Sequence, residues 1–193
     1  MNNETREHIL NVAADIIHGK GFNNTGLREI LEVAQIPKGS FYYYFPNKEA
    51  LGIAVARHLA ERMGTAARSI LFAENGTPLS RLREFFVWCH DRFAEQGYSR
   101  GCPIGNLSQE MADLSPQFRE TLQELHERFI GVIALVLEQA RIQGELSEQL
   151  DPQEAARFMF ASWEGAIMRM KVTKNREPLD IFVRISFELL LVP

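Results

Sequence analysis

Apolar residues recur about every three to four positions through most of the chain, and short runs rich in glycine and proline interrupt them. This spacing predicts amphipathic α-helices, because residues three and four apart share one helix face. The first predicted helix runs from Thr5 to about His18 and ends at the glycines of residues 19–21. A second, shorter helix is predicted over residues 27–34, with Thr25 as its N-cap. No segment shows the alternation typical of a half-buried β-strand.

Long helices are predicted for most of the remaining chain. They run from Lys48 to about Leu71, Leu79 to Glu95, Leu107 to Met111, Pro116 to Arg141, Ala155 to Lys171 and Pro178 to Leu191. Asn47, Ser115 and Asp151 stand before three of them, where a short polar side chain caps a helix. The pattern therefore predicts an all-α fold, with a small N-terminal domain over residues 1–50 and a larger helical domain over residues 51–193.

A tight break separates two short helices within the first 50 residues. The break, residues 36–40, contains a proline and a glycine and leads into the aromatic run Phe41 to Phe45. Two short helices around such a turn are typical of a helix-turn-helix, whose second helix enters the major groove of DNA. Phe41 and Phe45 share one helix face, and we expect them to pack in the core against Ile9, Ile16 and Leu31.

The other face of this aromatic helix carries the candidate DNA contacts. Tyr42 and Tyr43 must point away from the core if Phe41 and Phe45 point into it. A tyrosine hydroxyl can bond a phosphate oxygen while the ring lies against a sugar or a thymine methyl, so two exposed tyrosines indicate a DNA-contacting surface. Lys38, Gly39 and Ser40 stand at the start of the same helix, where we expect close approach to phosphates or base edges.

Charge restricts the kind of DNA binding that this domain can perform. The formal net charge of the chain is −4, and residues 1–50 carry five Lys and Arg against six Asp and Glu. A diffuse basic surface for any polyanion is therefore excluded. Binding must depend on a few cations at defined places, and Arg28, Lys38 and Lys48 are the candidates.

A long motif in this region resembles the TetR family of repressors. Its first part is Thr25-Gly26-Leu27-Arg28-Glu29-Ile30, and its second is Ile36-Pro37-Lys38-Gly39-Ser40-Phe41-Tyr42-Tyr43-Tyr44-Phe45-Pro46-Asn47-Lys48-Glu49-Ala50-Leu51. The chain departs from the usual form at Tyr43, where family members often have histidine. The resemblance implies a three-helix DNA-binding domain, a helical effector-binding and dimerisation domain, and a homodimer bound to double-stranded operator DNA. It also implies that Thr25 and Lys48 hold phosphates, whereas Arg28, Lys38, Ser40, Tyr42 and Tyr43 face the groove.

The last two helices are the candidate dimer interface. Small and large apolar residues are mixed between Ala155 and Ile167, which allows close helix approach, and residues 182–192 are apolar on several sides, more than a monomer would leave in water. The resemblance favours a dimer through these helices, although the same residues could fill an intramolecular core.

An effector pocket and a core are equally compatible with the aromatic and apolar residues of the larger domain. They are Phe85, Phe86, Trp88, Phe93, Leu107, Met111, Leu122, Phe129, Phe158, Trp163 and Met168. His90, Glu110, His126 and Glu164 are the polar candidates for contact with an unidentified small-molecule effector.

Two cysteines, Cys89 and Cys102, lie outside any metal-ligand spacing, and neither a metal nor a cofactor is expected. Cys89 is expected in the core. Cys102 precedes a predicted helix start, where backbone N–H groups favour the thiolate, and Arg100 stands two residues earlier. Residues 101–111 resemble a TetR subgroup that includes repressors of N-ethylmaleimide-reductase operons. That resemblance implies a cysteine that senses electrophiles and oxidants, assisted by a lysine that matches Lys171. The alternative is an inert structural thiol.

Other functional classes have little support in the sequence. An enzyme would need a catalytic motif, and the chain has no GxSxG, HExxH, GxxxxGK[ST] or GxGxxG. His90 and Asp91 are neighbours that we expect on different sides of a helix, unable to form a dyad. A transcriptional activator and a helical protein-interaction adaptor remain alternatives to a repressor. The chain lacks a signal peptide and any apolar run of about 18 residues, which predicts a cytoplasmic protein without membrane association.

Overall fold

A computed structural model describes residues 2–193 and shows an all-α fold. Nine α-helices occur in this range: α1 (Asn2–Lys20), α2 (Leu27–Ala34), α3 (Lys38–Tyr44), α4 (Lys48–Leu71), α5 (Pro78–Glu95), α6 (Pro103–Met111), α7 (Pro116–Ile142), α8 (Pro152–Thr173) and α9 (Glu177–Ile185). The all-α prediction is confirmed. None of these helices combines the length and the apolarity needed to cross a membrane.

The predicted polar caps at three helix starts are present. Asn47 Oδ1 accepts from the Ala50 N–H at 2.7 Å, and Ser115 Oγ accepts from the Phe118 N–H at 3.2 Å. Asp151 Oδ1 accepts from the amides of residues 153 and 154 at 2.7 and 2.9 Å. Each oxygen binds N–H groups that have no partner inside the helix, which explains why α4 and α7 begin where the sequence predicts and why α8 begins at Pro152, directly after its cap and before the predicted Ala155.

Three local predictions were wrong. Gly26, not Thr25, is the N-cap of α2, because the Thr25 hydroxyl turns back and donates to the Gly21 carbonyl at 2.6 Å. Helix α6 begins at Pro103 instead of Leu107. The last α-helix ends at Ile185, and residues Ser186–Leu190 form a π-helical turn in which Leu191 N–H donates to the Ser186 carbonyl at 2.8 Å.

The chain packs as two compact units. The first contains the residues up to Arg62 together with Pro103–Leu125, and the second contains Met63–Cys102 together with His126–Pro193. These units describe packing. The functional division at residues 50 and 51 stays a prediction.

The core of the first unit joins the N-terminal helices to α6 and the start of α7. Phe41 and Phe45 are buried in it together with Ile9 and Leu31, as predicted. Leu107, Met111 and Leu122 also belong to this core, so of the two alternatives left open for them, pocket or core, the structure shows the core. Neighbours from α6 and α7 therefore support the helix-turn-helix.

The second unit has a core of its own, built from α5, α7, α8 and α9. Phe86 is fully buried there, and its ring centroid lies 4.9 Å from those of both Trp163 and Phe182. Phe158 and Met168, for which the sequence left a core and a pocket open, are 55% and 64% exposed and so lie outside this core. Helix α8 is apolar on two faces, and the pattern alone does not show which face the core covers.

Candidate functional site

Helix α3 presents two chemically different faces, as predicted. Phe41 is fully buried and Phe45 is 3% exposed, whereas Tyr42 and Tyr43 are 49% and 71% exposed. The α3 helix is thus anchored through phenylalanine and displays two phenol groups to solvent. An open depression between α2 and α3, lined partly by Leu31, Ile36 and Tyr42, borders this surface.

The start of α3 adds small and cationic groups to the same surface. Lys38, Gly39 and Ser40 are exposed, and a Cβ built on Gly39 would meet no atom within 4 Å. A phosphate or a base edge can approach this segment without steric hindrance. The structure therefore brings Lys38, Gly39, Ser40, Tyr42 and Tyr43 together on one exposed helix.

Arg28 is exposed but already paired. Its side chain is 91% exposed, and its Nε donates to Glu32 Oε1 at 2.6 Å, one turn along α2. This hydrogen bond raises the pKa of the Arg28 guanidinium above its ordinary value. An exposed helix pair of this kind contributes little free energy, so a DNA phosphate or base can displace Glu32 at small cost.

Thr25 and Lys48, the two residues expected to hold phosphates, both make contacts inside the first unit. Thr25 is 1% exposed, and its hydroxyl is bonded to the Gly21 carbonyl. Lys48 Nζ donates to the Phe22 carbonyl at 2.7 Å and lies 4.2 Å from the centroid of the Phe22 ring. Burial lowers the pKa of Lys48, and the nearby Glu110 carboxylate opposes that shift. Thr25 lies in the turn between α1 and α2, and Lys48 contacts that turn from the start of α4, so both side chains support the turn from inside the first unit.

In the second unit, Cys102 lies beside the half-buried carboxyl group of Glu164. Burial raises the pKa of Glu164, and a hydrogen bond with the Cys102 thiol opposes that rise. A carboxylate disfavours a neighbouring thiolate, whereas the start of α6 at Pro103 favours it, so two effects of opposite sign act on this thiol. Both residues were candidates in the sequence, but their contact could not be predicted from it. They are 62 positions apart, and no local pattern links α6 to α8.

Lys171 shares a face of α8 with Glu164 but stands two turns farther along the helix. Seven residues of helical rise correspond to roughly 10 Å. The Lys171 side chain is exposed, in the last turn of α8. The structure therefore places Glu164 at Cys102 and places Lys171 farther along the same helix face.

The predicted aromatic lining of an effector site divides into two groups. Trp88 and Phe129 are half-buried and flank Phe85, with ring centroids at 6.2 and 5.9 Å from it. Trp163 is 4% exposed and packs edge-on against Phe86. Trp163 is a core residue in this structure, while Trp88 and Phe129 have partly accessible rings.

Helix α5 carries two further side chains with reactive groups, Cys89 and His90. Cys89 is buried, and burial raises the pKa of its thiol well above the ordinary range, as expected for a core cysteine. His90 Nδ1 lies 3.1 Å from Asp91 Oδ1, so the expectation that these neighbours cannot meet was wrong. The Asp91 side chain is 69% exposed and bends back along the helix to reach the ring, a geometry that helix-face reasoning from Cα positions does not capture.

An apolar stripe runs along the outer face of α8. Phe158, Met168 and Val172 are 55%, 64% and 79% exposed, and the small residues Ala161 and Gly165 lie between them at helical spacing. Exposed apolar residues continue on the last helical segments at Ile181, Ile185 and Leu189. The residues between Ala155 and Ile167 that were expected at an interface mostly face the core of the second unit instead: Ala155, Ala156, Met159, Trp163, Ala166 and Ile167.

Two protein-family models match this chain. The model of bacterial regulatory proteins, tetR family, matches residues 9–55. The model of the tetracyclin repressor-like C-terminal domain matches residues 78–186, which is more than half of the chain.

Similar proteins cover almost the whole length. The HTH-type transcriptional repressor DhaR of Mycobacterium sp. (strain GP1) is 33% identical over 186 residues, which cover 96% of this chain and 92% of DhaR. The HTH-type transcriptional repressor NemR of Escherichia coli (strain K12) is 30% identical over 177 residues, which cover 92% of this chain and 89% of NemR. The crystal structure of E. coli NemR in its reduced form matches with a TM-score of 0.90 at 30% identity and covers 98% of each chain. That of a regulatory protein TetR from Rhodobacter sphaeroides matches with a TM-score of 0.88 at 34% identity, over 94% of this chain and 96% of the other.

The fold and its exposed α3 helix define a helix-turn-helix regulatory protein. With two matching family models and full-length relatives, the chain belongs to the TetR family of bacterial regulatory proteins. The family resemblance read from residues 25–51 is confirmed.

Proposed function

We propose that this protein is a homodimeric transcriptional repressor that binds double-stranded operator DNA through residues 1–50 and responds to an effector through residues 51–193. The observation that carries the proposal is the division of α3 into a buried phenylalanine face and an exposed tyrosine face. Exposed phenol groups beside Lys38 on a short, well-anchored helix suit contact with phosphates and base edges.

The proposed DNA contacts fall into two groups. Lys38, Gly39, Ser40, Tyr42 and Tyr43 approach the groove directly on α3, and Arg28 joins them from α2 after leaving Glu32. Lys48 is the proposed phosphate contact at the start of α4, and Thr25, whose hydroxyl is buried against the Gly21 carbonyl, supports the turn before α2 that approaches the phosphate backbone.

The proposed dimer forms through α8 and α9. The outer stripe of Phe158, Met168 and Val172 would leave a large apolar surface in water if the chain were a monomer. A second copy covers that stripe, and Ala161 and Gly165 within it permit close approach of the two α8 helices. A dimer presents two α3 helices to half-sites one helical turn apart, about 34–36 Å.

The proposed release from DNA begins in the second unit, by a small molecule or by electrophile or oxidant modification of Cys102. Trp88 and Phe129 have partly accessible rings and are the proposed apolar contacts for an effector, with Trp163 behind them in the core. The half-buried Glu164 carboxyl next to the Cys102 thiol supports a polar site there. Lys171 is the proposed assisting residue on the same face of α8.

Operator binding by matched variants tests the DNA-binding part. Fluorescence anisotropy with labelled fragments from the region upstream of the gene is measured over a range of salt concentrations. Tyr42→Ala is expected to weaken binding about thirtyfold, because one net hydrogen bond of about 1 kcal/mol per protomer is lost twice in the dimer. Its salt dependence stays unchanged, since the phenol carries no charge. Lys38→Ala is expected to lower the log–log salt slope by about 1.8, because the Lys38 ammonium at the edge of the groove neutralises one phosphate per protomer and each neutralised phosphate releases about 0.9 counterion.

Phe72→Ala removes an exposed aromatic ring outside the first 50 residues and is the matched control, with unchanged binding expected. Wild-type affinity in both Tyr42→Ala and Lys38→Ala would disprove the proposed contact face. In the same assay, Cys102→Ser separates the two release routes. If electrophiles still release this variant from DNA, the thiol is not the sensor.

A further inference from the structure

A single peptide group in the turn between α1 and α2 is held from both sides by opposite charges. The peptide joins Phe22 to Asn23. Its carbonyl oxygen accepts a hydrogen bond from Lys48 Nζ at 2.7 Å, and its N–H donates to Glu110 Oε2 at 3.0 Å. Lys48 is the first residue of α4, and Glu110 lies in the last turn of α6. Both bonds involve an ionised group, and such hydrogen bonds are stronger than neutral ones.

The turn leaves space for the Glu110 carboxylate because a glycine stands at position 21. Gly21 has a φ of +92°, which favours glycine, and a Cβ at this position would lie 2.7 Å from Glu110 Oε1. The Lys48 ammonium also lies 4.2 Å from the centroid of the Phe22 ring, within the range of a cation–π contact. Lys48 and Glu110 therefore bind the same peptide and stand close enough for the carboxylate to favour the charged ammonium.

The α1–α2 turn also determines where α2 starts. Thr25 N–H donates to the Phe22 carbonyl at 3.2 Å, the same oxygen that accepts from Lys48. The Thr25 hydroxyl is bonded to the Gly21 carbonyl. Two residues later α2 begins at Leu27, followed by Arg28. A displacement of the Phe22–Asn23 peptide thus moves the first turn of the helix that precedes α3.

We propose that Glu110 is a positioning residue for operator binding. Together with Lys48 it holds the Phe22–Asn23 peptide by hydrogen bonds. These bonds keep the α1–α2 turn and the start of α2 in the arrangement that binds DNA. This inference rests on the proposed function, because operator binding is the activity that these two hydrogen bonds support. It also gives α6, which follows Cys102 directly in the chain, a polar attachment to the helix-turn-helix within the first unit.

The first test measures operator affinity by anisotropy for Glu110→Ala, Lys48→Ala, the double variant and Gln109→Ala. Gln109 is the exposed neighbour of Glu110 on α6 and is the matched control. If a substitution leaves about one protomer in three in the arrangement that binds DNA, about one dimer in nine has both protomers in it. The apparent Kd of the dimer then rises about tenfold. The double variant is expected to bind no more weakly than the weaker-binding single variant, because either substitution releases the same Phe22–Asn23 peptide. Glu110→Gln keeps an oxygen for Asn23 but loses the charge, so a smaller loss is expected.

The second test requires no DNA and follows hydrogen exchange of the Asn23 amide by NMR. Glu110→Ala is expected to accelerate exchange at Asn23, whereas Gln109→Ala leaves it at the wild-type rate. If Glu110→Ala folds poorly, Glu110→Gln provides the same two readouts with nearly unchanged side-chain shape.

The outcomes separate this inference from the proposed function. Wild-type affinity in Glu110→Ala, additive losses in the double variant, or unchanged exchange at Asn23 would each overturn the positioning role while leaving the DNA-binding proposal intact. A wild-type protein that binds no operator fragment would overturn both.

Discussion

Gly52 offers a sharp test of how tightly the first unit is packed. It lies on α4, buried between two aromatic rings that meet edge to face with centroids 5.1 Å apart. A Cβ added here would lie 2.4 Å from Phe22 Cε2 and 2.6 Å from Phe118 Cζ. Ordinary contact begins at 3.4 Å, so the Phe22 ring would have to retreat by about 1 Å. Both rings belong to a filled core, and neither is the free end of a flexible chain.

Two effects of opposite sign determine the result of Gly52→Ala. Alanine in a helix interior is favoured over glycine by about 1 kcal/mol. Forcing an extra carbon into a filled core costs about 1–3 kcal/mol, and the upper part of that range applies because two rings must move. We therefore expect Gly52→Ala to lower the free energy of unfolding by about 1–2 kcal/mol per protomer.

Gly64 on the same helix is the matched control. Its added Cβ would meet only Arg68 Nη1, at 3.6 Å, so Gly64→Ala keeps the helix preference and raises stability by up to about 1 kcal/mol. Urea unfolding followed by circular dichroism measures both variants at one protomer concentration, because the stability of a dimer depends on concentration. If Gly52→Ala resists urea as well as the wild type or better, the packing described for α4 and its two aromatic neighbours is incorrect.

Two further predictions concern the second unit. Met168→Glu places an unpaired charge from each protomer into the proposed interface, a change that costs several kcal/mol, so a monomer with greatly weakened operator binding is expected by sedimentation and anisotropy. Met63→Glu, the same change at another exposed methionine, leaves the dimer intact; a dimeric Met168→Glu would argue against the α8 stripe. Burial raises the pKa of Glu164 above its unfolded value, so its contribution to stability is complete below about pH 4.5 and is lost as pH rises through the raised pKa. Unfolding measured from about pH 4 to about pH 8 is expected to show Glu164→Gln gaining on the wild type as pH rises, and a constant difference would contradict the burial of this carboxyl.

Local features of the sequence were sufficient to predict the helices and the two faces of α3. Apolar spacing and polar caps such as Asn47 and Ser115 act over a few neighbouring residues, so the starts of the helices that they cap could be read from the chain. The burial of Phe41 and Phe45 with exposure of Tyr42 and Tyr43 follows from the angular spacing of side chains on one short helix. The family motif lies in the same continuous stretch.

Only the tertiary structure decided which distant groups meet. Glu110 looked like a polar residue of the effector domain, but the fold brings it to the Asn23 amide 87 positions away. Glu164 meets Cys102, and the outer face of α8 is the one with Phe158 and Met168. Periodicity states that a helix has an apolar face, and on a helix with two such faces it cannot state which one the core covers. Contacts between remote segments depend on how whole helices pack, and that information is spread over the entire chain.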